Sequence, residues 1–143
     1  MKYIIGLITF VASVFIINDC QSDNTMSAIE QDKELQESMV KGKDIYNDFC
    51  VTCHLPSGEG VEKIYPPLAK SDYLKENRLE SIKGVKFGQQ GKIVVNGITY
   101  NSVMASMGLT DEEVADVMNY INHSWGNDFG KMVTVEEVAK IEK

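Results

Sequence analysis

The sequence predicts an all-α fold of about four to five helices carrying one small β-hairpin. Three observations predict it. Apolar residues recur at spacings of three and four from Leu35 to Phe49, and again from Val114 to Ile121. Thr110 followed by Asp111-Glu112-Glu113 is a capping-box helix start. Strand signal is confined to Lys92–Tyr100, where β-branched residues flank Asn96-Gly97, the preferred pair for a type I′ turn.

The chain has 143 residues, enough for one modest domain and a leader. Lys2 precedes an apolar run from Tyr3 to Ile17. That run is shorter than the roughly 20 residues of a membrane span and fits the hydrophobic region of an export signal. Residues 1–19 are therefore expected to be a signal peptide. Ile17-Asn18-Asp19-Cys20 resembles the lipidation site of bacterial lipoproteins, with Asp19 departing from the small uncharged residue usual there. Lipidation would also account for Cys20, the odd one of three cysteines. Residues 20–34 are polar and read as a flexible tether, which leaves 35–143 as the folded domain.

The helix over 35–49 includes Gly42, which costs about 1 kcal/mol against alanine in a helix and implies close approach by another helix. Leu55 to Gly60 is turn chemistry, and Tyr65-Pro66-Pro67-Leu68 is rigid and extended. Short helices are expected over 71–76 and 78–87, the second limited by Gly84 and Gly88. The capped helix from Thr110 should bury Val114, Val117, Met118, Ile121 and Trp125 and stop at Gly126. A last short helix is expected over 134–143.

The helix expected over 35–49 leads straight into Cys50-Val51-Thr52-Cys53-His54, and this motif carries the chemistry. Two cysteines separated by two residues and followed by histidine form the attachment signature of a c-type haem. The thiols add across the two porphyrin vinyl groups, and the histidine offers a ring nitrogen to the iron. A bare Cys-x-x-Cys could instead be a redox dithiol or half of a zinc site. Zinc would need two further ligands, with only Cys20 and His123 remaining. A dithiol of the thioredoxin kind would need alternating strands and helices, which the sequence lacks. One covalently bound haem c is therefore expected. Its attachment in bacteria belongs to the far side of the inner membrane, so the protein is expected to be exported.

A second strong-field ligand would make the site an electron carrier, whereas an open side would make it a ligand-binding or catalytic haem domain. Met104 and Met107 both precede the capped helix. Met118 falls on a buried helical stripe, and Met132 lies beyond the last major helix. His123 sits at a helix C-terminus, where the dipole favours an imidazolium. No paired carboxylate site is recognisable. The net charge of −7 argues against nucleic-acid binding and favours a redox partner with a basic face.

From Gly42 to Asn127 the chain resembles the class I bacterial cytochromes c, of the small monohaem c6 and c551 type. The resemblance rests on a helix leading into Cys50–His54, the Pro66-Pro67-Leu68 segment, the loop Met104-Ala105-Ser106-Met107, and a final helix. It implies the cytochrome c fold, with Pro66 O holding the His54 ring N–H and Leu68 beside the haem. It also implies Met104 as the second iron ligand, Met107 being the alternative, although Ala105 replaces the proline usual there. Leu68, Ile98, Val103, Val117 and Ile121 would line the porphyrin. Gly42 and Tyr46 or Phe49 would meet Tyr120 where the first and last helices cross. The function implied is one-electron transfer between periplasmic or membrane-bound redox proteins, such as a dehydrogenase, reductase or oxidase. The carrier is expected to be a monomer that is not itself an enzyme, held at a membrane surface through Cys20.

Overall fold

The computed structural model describes residues 21–143, so the expected signal peptide and Cys20, the expected site of lipidation, lie outside the described residues. Six helical segments and one two-stranded sheet make up the described part, two or one more helices than the sequence suggests. In chain order these are α1 (Gln21–Phe49), α2 (Val51–His54), α3 (Asp72–Glu76) and α4 (Arg78–Phe87). They continue with β1 (Ile93–Val95), β2 (Ile98–Tyr100), α5 (Asp111–Asn122) and α6 (Val135–Ala139).

The crossing of α1 and α5 is the principal packing contact. Ser38, Gly42 and Tyr46 are buried at spacings of four, which puts them on one face of α1. Gly42 is required there: a Cβ at this position would enter the Asp116 carbonyl and lie 2.9 Å from the Tyr120 Cβ. The ring of Tyr46 packs on that of Tyr120 at 5.4 Å between centroids, whereas Phe49 is largely exposed. Ser38 Oγ donates to Asp116 Oδ1 at 2.6 Å and accepts from Asn119 Nδ2 at 2.9 Å. Asn119 also pairs with both backbone polar groups of Val133, which ties the C-terminal segment to the same seam.

Helix α5 feeds two apolar clusters. Val114, Ala115 and Met118 pack with Ile82, Val133 and Val138, while Val117 and Ile121 pack with Tyr46 and, at the edge, Leu68 and Trp125. Each fully buried valine or isoleucine here contributes about 1.5–3 kcal/mol. Helix α5 starts as expected, with a complete capping box between Thr110 and Glu113.

Three local expectations are corrected. The polar stretch expected to be a tether is helical from Gln21 on, continuous with the rest of α1. Its side chains from Met26 to Glu34 are exposed, so this part of the helix is polar because it has no core to face. Helix α5 ends at Asn122, before Trp125, which has φ 54° and folds back outside the helix. The last helix spans only Val135–Ala139, held by the Thr134 cap and by Arg78, whose guanidinium grips Glu137 twice at 2.7 Å.

The hairpin pairs Ile93 with Tyr100 and Val95 with Ile98. Asn96 and Gly97 have φ of 50° and 77°, both positive as a type I′ turn demands. Asn96 exchanges two hydrogen bonds with Asp72, which anchors the hairpin to the start of α3.

Candidate metal centre

The last turn of α1 hands over directly to α2: Cys50 N donates to Tyr46 O at 2.9 Å, and His54 N donates to Cys50 O at 3.0 Å. Cys50 and Cys53, three apart in a helical turn, therefore share a face. Neither is in a disulfide, and both are half-buried. Burial, reinforced by the neighbouring Cys53, pushes the Cys50 thiol up to about 11. A redox dithiol needs the opposite, a thiol poised toward thiolate near neutral pH. Among the described residues no group of three or more histidine, cysteine, aspartate or glutamate side chains could hold a metal.

His54 is buried, and its Nδ1 lies 3.0 Å from Pro66 O. A carbonyl only accepts, so Nδ1 carries the proton and Nε2 keeps its lone pair for a metal. Burial lowers the His54 pKa from 6.5, with the Pro66 contact opposing it, which favours the neutral ring that a metal requires. The donor set thus fits a c-type haem: two cysteines on one helical face beside a histidine of fixed tautomer.

The loop after His54 delivers the Pro66 carbonyl. Gly60, at φ 62°, donates its N–H to His54 O, and a Cβ there would lie 2.7 Å from Pro66 O. Leu68 N and Ala69 N both donate to Gly58 O. Gly58 is itself roofed by Trp125, which donates from Nε1 to Pro56 O at 3.1 Å and packs on Tyr46 at 5.1 Å. Asn127 completes the frame. Its amide Nδ2 donates to Leu68 O and Ile121 O, and its Oδ1 accepts from Lys70 N. Sequence reasoning missed this last residue and read Gly58 and Gly60 only as turn formers. The available signal was an asparagine just beyond α5, after Gly126.

On the other side, Met104 is half-buried and Met107 is 41% exposed. Met118 is core and Met132 half-buried beside Arg78, which bonds its carbonyl. His123 caps α5 with its two ring nitrogens 3.0 and 3.2 Å from the carbonyls of Asn119 and Gly130, so neither is turned toward a metal. Of the apolar residues expected around a porphyrin, Val117 and Ile121 are buried, Leu68 and Ile98 half-buried, and Val103 exposed.

The helical frame, the paired thiols and the tautomer-locked histidine define a c-type haem protein. Residues 39–125 match the family model described as Cytochrome c, and the chain belongs to that family. It is 39% identical over 113 residues to cytochrome c-552 of Thermus thermophilus, covering 73% of this chain and 76% of that one. It is also 32% identical over 106 residues to the cytochrome c subunit of a quinone alcohol dehydrogenase from Gluconacetobacter polyoxogenes, covering 71% of this chain but 22% of the subunit. The cytochrome c subunit of gluconate 2-dehydrogenase from Pantoea cypripedii is 29% identical over 136 residues, which is 85% of this chain and 30% of that one. The protein is a monohaem electron carrier with covalently bound haem c, not an enzyme.

Proposed function

We propose that Cys50 and Cys53 would hold the haem through thioethers, with His54 Nε2 and the Met104 thioether as the residues that would bind its iron. The His54–Pro66 contact carries this reading, because it fixes the tautomer and the ring direction that ligation needs. Bound there, the group supplies one-electron exchange between Fe(III) and Fe(II). The chain's own part is to keep both ligands in place, so that little moves on transfer, and to exclude water with Leu68, Val117 and Ile121. A thioether ligand and an apolar surround both raise the reduction potential.

The proposed setting is the exported side of a bacterial membrane, with the chain acting as a monomer tied down by lipid on Cys20. Anchoring would confine it with its partners and raise their effective concentration. No helix among the described residues is long and apolar enough to cross a membrane. Two of the relatives are named as dehydrogenase cytochrome subunits, which supports a dehydrogenase as one partner. Contacts in such exchange are brief and small, typically below about 1,200 Å².

The test of the ligand set is the oxidised absorption spectrum. A thioether-to-iron charge-transfer band should be present, vanish in Met104→Ala and persist in Met107→Ala. A wild type that lacks the band and binds cyanide rapidly would instead be a haem domain with an open distal side.

A further inference from the structure

Met104 lies in a stretch, 101–110, that belongs to no helix or named strand, yet its backbone is fully tied. Its N–H donates to Gln89 O at 2.9 Å, and its carbonyl accepts from Gln89 N at 2.8 Å, an isolated antiparallel bridge to the residue two past the end of α4. Two further features draw the same segments together. Ser106 Oγ donates to Lys86 O at 3.1 Å. Gly88, at φ 86°, lies so close to the loop that a Cβ would come within 2.8 Å of Met104 O and 2.9 Å of Ser106 N. Helix α4 is a firm support: Ile82 is fully buried, and Lys86 bonds both Val138 O and the Asp111 carboxylate.

We infer that Gly88 and Gln89 are the positioning residues for the Met104 loop, and that this bridge supplies the loop's stiffness. The inference rests on Met104 being the distal ligand. Fixing both backbone groups of Met104 sets the direction in which its side chain leaves the chain, and the close approach at Gly88 sets how near the loop sits to α4. A thioether is a soft, neutral ligand that an external anion can displace. Its retention therefore depends on how little freedom the loop has once the bond opens.

The experiment compares two alanine variants of the haem-loaded protein. Gly91 also has a positive φ, 94°, but nothing lies within 4 Å of its missing Cβ. Gly88→Ala and Gly91→Ala thus carry the same kind of backbone cost, and only the first pushes on the loop. Cyanide, which must displace the distal ligand, should bind about ten-fold faster to Gly88→Ala than to wild type, while Gly91→Ala stays near wild type. The charge-transfer band should weaken in Gly88→Ala alone. Adding Ala105→Pro to Gly88→Ala should restore slow cyanide binding, since a proline there holds the preceding residue extended, as the bridge does. Equal cyanide rates in the two variants, with the band intact, would overturn the inference and leave Met104 as the ligand. A band that survives Met104→Ala would overturn the ligand assignment instead. Should Gly88→Ala fail to mature, amide exchange in the wild-type holoprotein decides the matter. The Met104 and Gln89 amides must be protected well beyond that of Ala105, and exchange as fast as Ala105 would refute the bridge as a restraint.

Discussion

Gly42→Ala tests the helix crossing on which the metal centre is built. In an isolated helix the change would stabilise by about 1 kcal/mol, because alanine is the better helix former. Here the added methyl would enter the Asp116 carbonyl, with the Tyr120 Cβ only 2.9 Å away. Neither neighbour is the free end of a side chain, so α1 and α5 must move apart. Overpacking of this kind costs about 1–3 kcal/mol even where side chains can yield, and a backbone collision belongs at or above the top of that range. Separation also loosens the Ser38–Asp116 hydrogen bond of 2.6 Å and the Tyr46–Tyr120 ring contact on either side of the glycine. Net of the propensity gain, the loss should be about 2 kcal/mol, equivalent to roughly 10 °C in Tm for a domain near 100 residues. Guanidinium unfolding of the holoprotein followed by far-ultraviolet circular dichroism measures it. A Gly42→Ala protein as stable as wild type, or more so, would show that the crossing has room and refute the argument.

Other consequences are as direct. Asn127→Ala removes three hydrogen bonds linking the proline segment to the end of α5 and should destabilise by about 3 kcal/mol. The reduction potential should shift as well, because His54 leans on Pro66; an unchanged midpoint in voltammetry would separate Asn127 from the metal centre. Thr110→Ala breaks the capping box of α5 and should cost about 1 kcal/mol in denaturant titration, with Thr110→Ser retaining most of it. Acid sensitivity should involve Arg78 and Glu137. The Arg78 guanidinium holds the Glu137 carboxyl below its ordinary 4.5, so this stabilisation is present above that pH and is lost as the pH falls further. Arg78→Ala should therefore flatten the stability curve below about pH 4.5, and a curve parallel to wild type would count against the pair.

The features of strong local chemistry were legible in the sequence. Cys50, Cys53 and His54 declare themselves by spacing, α5 starts where Thr110 and Glu113 place it, and Asn96-Gly97 dictates its own turn. What escaped depends on contacts distant in sequence. Asn127 matters because of carbonyls six and fifty-nine residues away, and Gln89 because of a bridge to Met104. The C-terminus of α5 is not legible because Trp125 continues the apolar residues at helical spacing. Its ring is instead claimed by Tyr46, Tyr120 and the Pro56 carbonyl, which it reaches only by leaving the helix. The polar start of α1 is hidden for a complementary reason. A pattern without an apolar face gives no periodicity to detect, yet the segment is continuous with a helix that has one.

The central claim is that this chain carries one iron porphyrin bonded through Cys50 and Cys53 beside His54. Peptide mass analysis of protein matured in a competent host and denatured in acidic organic solvent tests it most directly. The account predicts that the peptide containing both cysteines retains the mass of one haem and that neither sulfur can be alkylated. Release of the porphyrin, leaving two alkylatable thiols on that peptide, would contradict it.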